Sequence, residues 1–362
     1  MQTDDFAATV RSAFAGLLQV ARGGVIANEA HRRVVFLESG CHLGYAQSLC
    51  SNPADLVFVP ESGDALDQPT AGVLAYEGGL RDPGDELFVA EGLFVHTQDY
   101  LATPFLAVAG PTIVRISGEA DYDAFLQDSD LAHDQGVFVD QLLHPAVFLA
   151  DQCALGSTHP CDVDQLSRVY VSESGQVRTA PGGSDLVKTL SQPEDLVDAA
   201  RRAGVSGDIC LNGVVAAELI DAARAQRPWL SRYLAAIDVL RGLRAEGKAD
   251  YRVSGFGGRF VGALSTDLVE STEAPFLLWK DQEFLVCDAV RGRVFRVGAD
   301  AARIVELLLL TESTDHACDL AVDLLGVAVG AARAAIEQVV ANFHDSGVGL
   351  FRSETSVSGA SA

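Results

Sequence analysis

Positive charge is what this chain most conspicuously lacks. It carries 26 lysines and arginines against 50 aspartates and glutamates, a formal net charge of −24 over 362 residues. A surface of that sign repels a phosphate backbone and an anionic bilayer, so neither nucleic acid nor membrane is expected as a partner. It draws in a cationic or amphipathic peptide instead. Long apolar runs are missing too: the most apolar stretch, Ile304 to Leu310, falls far short of the ~20 residues a spanning helix needs. No export signal opens the chain. Met1 to Phe6 holds Asp4 and Asp5 and no basic stretch, and the apolar run after it is broken by Arg11 and Arg22. A cytoplasmic location is therefore expected. The seven cysteines are then expected as thiols, and their odd number excludes a complete disulfide framework. No internal repeat is visible.

What is present reads as α+β. From Arg32 to about Gly118 short apolar runs alternate with turn chemistry: Val34 to Leu37, Leu56 to Val59, Leu87 to Val89 and Ile113 to Ile116, separated by Asn52-Pro53, Gly78-Gly79 and Asp82-Pro83-Gly84. A helical pattern starts at Ser117-Gly118-Glu119 and continues through Phe125. Arg168 to Arg178 reads as a hairpin turning at Ser174-Gly175. Helices then dominate. One starts at Gln192-Pro193 with Ser191 as cap, and another follows Pro228 with Trp229, Tyr233, Ile237, Leu240 and Leu243 at helical spacing, stopping at Gly247. Boundaries follow: a mixed α/β domain over 1–165, a hairpin and helical region over 166–272, a compact module over 275–352 and a polar tail over 353–362.

That module is the most informative part. Phe276 to Lys280, Glu283 to Asp288 and Arg293 to Val297 make three short strands joined by tight turns, hence antiparallel. The period then switches to that of a helix in three segments. Ala302, Val305, Leu308 and Leu309 mark the first, and His316, Leu320, Leu324 and Leu325 the second. Ile336, Val340 and Phe343 mark the third, which ends at Asp345-Ser346-Gly347 before a strand-like Val348 to Phe351. Three antiparallel strands and three helices make a winged-helix-like domain. The pieces Val294-Phe295-Arg296-Val297, Ala301 to Leu308 and Ala341 to Gly347 resemble the PqqD-like recognition element of ribosomal-peptide (RiPP) biosynthesis. The resemblance covers about a fifth of the chain. It departs at Leu309-Leu310-Thr311-Glu312, where the family often has a glycine-rich break.

The resemblance implies a binding mode with its own physics. An outer strand has unpaired N–H and C=O groups, which a leader peptide satisfies by adding as a further strand. The expected edge is Arg293, Val294, Phe295, Arg296 and Val297. The expected groove lies against the third helix, with Ile336, Val339, Val340 and Phe343 supplying its apolar wall, although the same spacing describes ordinary core. Arg293, Arg296 and Arg333 are placed to pair with acidic leader residues. With a large N-terminal region ahead of it, the whole chain is most similar to the recognition proteins of daptide biosynthesis. Partners of that kind imply a separate dehydrogenase, aminotransferase and methyltransferase.

Chemistry elsewhere in the chain is incomplete. Cys153, His159 and Cys161, with His144 upstream, lack the tight paired spacing of a zinc site, and Asp162 and Asp164 are too few for a hard cation. Cys41-His42, read as neighbours on a strand, point to opposite faces and make no dyad. Ser254-Gly255-Phe256-Gly257-Gly258-Arg259 lacks the spacings of phosphate loops, so a tight turn is expected; Pro181-Gly182-Gly183-Ser184 is weaker still. His144-Pro145 and His159-Pro160 read as turns, Trp229 and Tyr233 as core, and Asp281, Glu283 and Asp288 as solvated charge. No cofactor, metal or catalytic residue is expected, and the chain reads as a recognition factor. Two alternatives stand beside that: a peptide-modifying enzyme with a fused recognition domain, and a winged-helix transcription regulator served by Arg291, Arg293, Arg296 and Arg303.

Overall fold

A computed structural model describes residues 2–22, 33–50, 52–61, 72–89, 92–156, 166–188, 190, 193–203, 209–265, 270–311 and 313–350. The fold is mixed α and β, in two compact units. The first comprises residues 1–126 and 140–230, and the second residues 127–139 and 231–362.

In the first unit the order is α1 (Gln2–Arg22), β1 (Val34–Leu37), α2 (Leu43–Leu49), β2 (Leu56–Pro60), β3 (Val73–Gly78), β4 (Glu86–Val89), β5 (Leu93–Asp99) and β6 (Thr112–Arg115). Then come α3 (Glu119–Gln135), whose residues from 127 on belong to the second unit, β7 (Val147–Leu149), α4 (Gln152–Leu155), β8 (Arg168–Val171), β9 (Val177–Arg178), α5 (Pro193–Ala203) and α6 (Ala217–Gln226). The strands form one nine-stranded sheet in the order β7-β6-β5-β4-β3-β2-β1-β8-β9. β4 and β9 run against their neighbours, and every other pairing is parallel.

The burial patterns explain the mixture. β1, β6 and β8 are buried at every position, as parallel strands covered on both faces must be. One face carries Val34, Phe36, Phe58 and Tyr170 against Ala13, Leu17 and Val20 of α1. The other carries Val35, Leu37, Val57 and Val169 against α2 and α5. β4 instead alternates, with Leu87 and Val89 buried and Glu86 and Phe88 exposed. That is the pattern of an antiparallel strand with one open face. The expected hairpin forms with Val171 opposite Val177.

The second unit contains α7 (Leu230–Ala245, the first residue counted with the other unit), β10 (Arg252–Val253), β11 (Phe276–Lys280), β12 (Glu283–Asp288), β13 (Arg293–Val297), α8 (Ala299–Leu310), α9 (Thr314–Leu325) and α10 (Val329–Asp345). Its sheet has the order β10-β11-β12-β13, antiparallel throughout. The tight link from β11 to β12 puts Asp281 at φ 52°, a left-handed conformation that aspartate tolerates. Leu277, Phe284 and Val286 pack with Val305, Leu308, Ala317, Ile336 and Phe343 of the three helices in one core.

Several sequence expectations change here. The boundary at 165/166 does not separate units, because β8 pairs directly with β1. Nor does a unit begin at 275, since β10 extends the terminal sheet to four strands. Val348 to Leu350 form no strand; Val348 and Leu350 are instead buried as loop residues that close the core. Phe351, the 353–362 tail and the Ser191 cap lie outside the described residues. Asp288 is not solvated charge: it is 2% exposed and accepts from the backbone N and the guanidinium of Arg291, holding the β12–β13 turn.

Candidate functional site

The terminal sheet stops at β13. Among the described residues no strand pairs with its outer edge. Along β13 the side chains alternate. Phe295 and Val297 pack on the helical core, and the Phe295 ring meets Phe343 of α10 edge-on at 5.4 Å between centroids. Arg293 shares that face and donates through Nη1 to the Ser346 carbonyl, just past the end of α10. Val294 and Arg296 lie on the opposite face, and both are exposed. Arg296 sits 3.8 Å from Glu283.

The structure thus brings Arg293, Phe295, Val297, Val340 and Phe343 to one strand-and-helix flank. It does not bring all of the expected wall there. Ile336 is 0% exposed and belongs to the core, with Ala332, Val339 and Phe343 on the same buried stripe of α10. Val340 is half-buried beside it. Arg333 is half-exposed and paired through one nitrogen with Asp315 at 2.8 Å.

The glycine-rich stretch turns out to cradle an anion of the chain's own. Phe260 N donates to Glu306 Oε1 at 2.8 Å, Val261 N to Oε2 at 2.5 Å and Ser254 Oγ to Oε1 at 2.5 Å. Arg259 bridges Ser254 and Glu270, and Arg232 stands 3.6 Å from Glu270. Two guanidiniums and two carboxylates are buried together and balance in charge. Gly257 must be glycine: at φ 68° an added Cβ would lie 2.3 Å from Gly136 N. Glu306 was legible only as one acid inside an apolar helical run.

Cys41 and His42 lie in a single 3-10 turn over Gly40–His42 rather than on a strand, so the opposite-face argument falls away. The Cys41 Sγ is 3.5 Å from Nδ1 and 3.6 Å from Nε2 of His42. His42 Nε2 faces the Glu173 carbonyl at 3.0 Å, an oxygen that only accepts, so that nitrogen donates to it. Cys153 is buried, with Sγ 3.5 Å from Arg168 Nη2; His159, Cys161, Asp162 and Asp164 lie outside the described residues. Among the described residues no three His, Cys, Asp or Glu side chains gather around a common point, and no helix is long and apolar enough to cross a membrane. Tyr233 is core, stacked on Phe138 at 5.8 Å, and His144 caps its own turn by accepting from Ala146 N.

Thiol reactivity follows from burial. Desolvation is the main cause that pushes the Cys287 thiol, and likewise Cys50, up to about 12. Cys41 is exposed. Native-state labelling with iodoacetamide at pH 8, mapped by mass spectrometry, is expected to modify Cys41 and spare Cys287 and Cys318. Labelling of Cys287 at a rate matching Cys41 contradicts the fold of β12.

Set against known proteins, the chain matches no family model, no curated protein and no solved structure.

Proposed function

We propose that this protein recognises the leader segment of a ribosomally made precursor peptide. The leader adds as a fifth strand beside β13, with alternate side chains docking along the flank of α10. What supports the reading is one observation: the four-stranded sheet ends at β13, whose outer edge pairs with no strand among the described residues and which is set against a long helix. Edge pairing supplies main-chain hydrogen bonds whatever the leader's sequence, and the apolar flank supplies selectivity. Arg293 and Arg296 give this edge a basic character on a chain that is acidic overall, which suits a leader with acidic residues.

The PqqD-like reading of the terminal module belongs to the same proposal, as does the daptide-type setting with its dehydrogenase, aminotransferase and methyltransferase. The chain holds the leader and raises the local concentration of the peptide at enzymes that act on its other end. No group of its own performs the modification in this reading.

The test uses the full chain and a fluorescently labelled leader peptide from a precursor encoded beside this chain's gene. Anisotropy is expected to show micromolar or tighter binding, and hydrogen exchange to slow across residues 293–297. Arg296→Glu is expected to weaken binding about tenfold, a rim-charge effect that grows as salt falls. Phe295→Ala is expected to weaken it about 10- to 100-fold, as the loss of an aromatic anchor does. A leader that binds but protects some other segment, or that ignores Arg296→Glu at low salt, defeats the proposal.

A further inference from the structure

Two clefts open on the first unit, and their charges differ. The cleft beside Arg115 and the loop from Pro181 to Asp185 is matched within itself. Arg115 and Arg168 share Asp151, at 3.5 and 2.8 Å, with Asp151 in a left-handed backbone at φ 52°. Arg178 holds Asp185 at 2.6 Å, and Arg81 stands 3.7 Å from Glu38 and 3.8 Å from Asp82. The second cleft, of about 580 Å³, has acids and no base among its described lining residues.

Its position follows from strand register. Helices α2 and α5 cover one face of the sheet only as far as Val59 and Val73. Beyond them the same face continues across β3, β4 and β5. Glu77 pairs with Phe88, Phe88 with Phe94, and Glu86 with His96. Continuing the register of Pro60 with Tyr76 sets Glu61 beside Glu77. A row Glu61, Glu77, Phe88, Phe94 thus crosses four strands, and Ala75 and Gly92 leave space next to it because they are small. The reverse face of these strands is core, with Leu87, Val89, Leu93 and Val95 buried.

This face is open. Phe88 is 46% exposed, and Glu61, Glu77 and Glu86 are exposed. The Phe88 and Phe94 rings lie 4.7 Å apart, and the His96 ring meets Phe94 edge-on at 4.2 Å. His96 stands 3.7 Å from Glu86. Glu61 and Glu77 have no such neighbour: neither forms an ion pair or a side-chain hydrogen bond among the described residues. Two like charges side by side on a sheet repel. The faces of the aromatic rings next to them carry partial negative charge as well. One species relieves both, a cation held against the rings and between the carboxylates.

We propose that this cleft binds a small organic ammonium ion with an apolar body, its charge at Glu61 and Glu77 and its body on Phe88 and Phe94. The strands decide between a small molecule and a protein segment. β3, β4 and β5 are interior strands, each hydrogen-bonded on both sides, so no extended chain can add to them. What remains is a recess in the size range of small-molecule sites. The site lies in the first unit and β13 in the second, so the proposal stands independently of leader recognition.

The test takes the full chain and four probes: 2-phenylethylamine, the uncharged 2-phenylethanol of the same shape, the anion 3-phenylpropionate, and hexalysine. Aromatic proton–carbon spectra are recorded on protein labelled at phenylalanine, with the Phe88 ring signals identified by their loss in Phe88→Thr. The amine is expected to bind in the millimolar range, reasonable for so small a ligand, and to move the Phe88 signals. The alcohol is expected to bind at least fivefold more weakly, and the propionate to leave those signals in place. A double variant, Glu61→Gln with Glu77→Gln, changes only exposed side chains and is expected to bring the amine down to the affinity of the alcohol. Equal binding of amine and alcohol, undiminished amine binding by the double variant, or unmoved Phe88 signals at about 20 mM amine overturns the assignment. Hexalysine that moves the Phe88 signals at lower concentration than the amine also overturns it, and gives the surface to a basic protein segment.

Discussion

Replacing Glu306 with alanine is expected to destabilise the second unit by on the order of 3–5 kcal/mol, because it strands two buried backbone N–H groups and a hydroxyl at once. Glu306 is 0% exposed. Its carboxylate is the partner of Phe260 N, Val261 N and Ser254 Oγ. Those donors sit in a loop whose glycines hold backbone that other residues rarely adopt, with φ 85° at Gly255 and 149° at Gly258. Water cannot replace the carboxylate without opening the core formed by Val261, Leu264 and Val305. The unit's thermal midpoint should fall by roughly 10 °C or more, at about 2–4 °C per kcal/mol for a domain of this size. Glu306→Gln should fall between parent and alanine variant, since one amide oxygen still accepts while the amide nitrogen faces Val261 N. A calorimetric scan in which Glu306→Ala melts within a degree of the parent removes the cradle from the account of this fold.

The second large effect lies in the first unit. Asp151→Ala leaves the Arg115 and Arg168 guanidiniums buried without their shared carboxylate, and breaking a buried pair from one side costs about 3–5 kcal/mol. Arg168 keeps part of its support, because its Nη1 also donates to the Val20 carbonyl at 2.6 Å and the Ala21 carbonyl at 3.1 Å. Arg115 has no such reserve among the described residues. Asp151→Asn separates charge from geometry: asparagine tolerates the left-handed backbone and retains an acceptor, so it isolates the loss of the ion pairs. Chemical denaturation should rank the parent first, asparagine next and alanine last, with an unchanged slope if the denatured state is unaffected. An alanine variant as stable as the parent would mean that neither guanidinium depends on Asp151.

These two networks mark the limit of what the sequence displays. Strands β11, β12 and β13 fall where their apolar runs and tight turns put them, and α8 to α10 follow the switch in period, because both signals are local. The hairpin around Ser174-Gly175 is local in the same way. Sheet order is not. Nothing in Arg168 to Val171 announces that it lies beside Val34 to Leu37, and two residues at Arg252-Val253 are too few to read as a strand before their partner is known. Glu306 and its donors are separated by 45 to 52 residues. Arg115 reads as the polar member of an alternating strand until Asp151 and the Pro181 loop close around it. Ile336 shows the converse: helical spacing locates it on an apolar stripe but cannot say whether the stripe faces core or ligand.

The way the backbone threads between the two units carries a practical consequence. The chain leaves the first unit at 126, returns at 140 and leaves again at 230, making three crossings. A single cut therefore excises neither unit whole. A fragment starting at Pro275 would lack β10, the loop that binds Glu306, and Arg232, whose guanidinium lies 4.1 Å from the Phe276 ring centroid. Anyone grafting the β13 edge onto another protein must transplant residues 231–350 at least, and supply a substitute for 127–139.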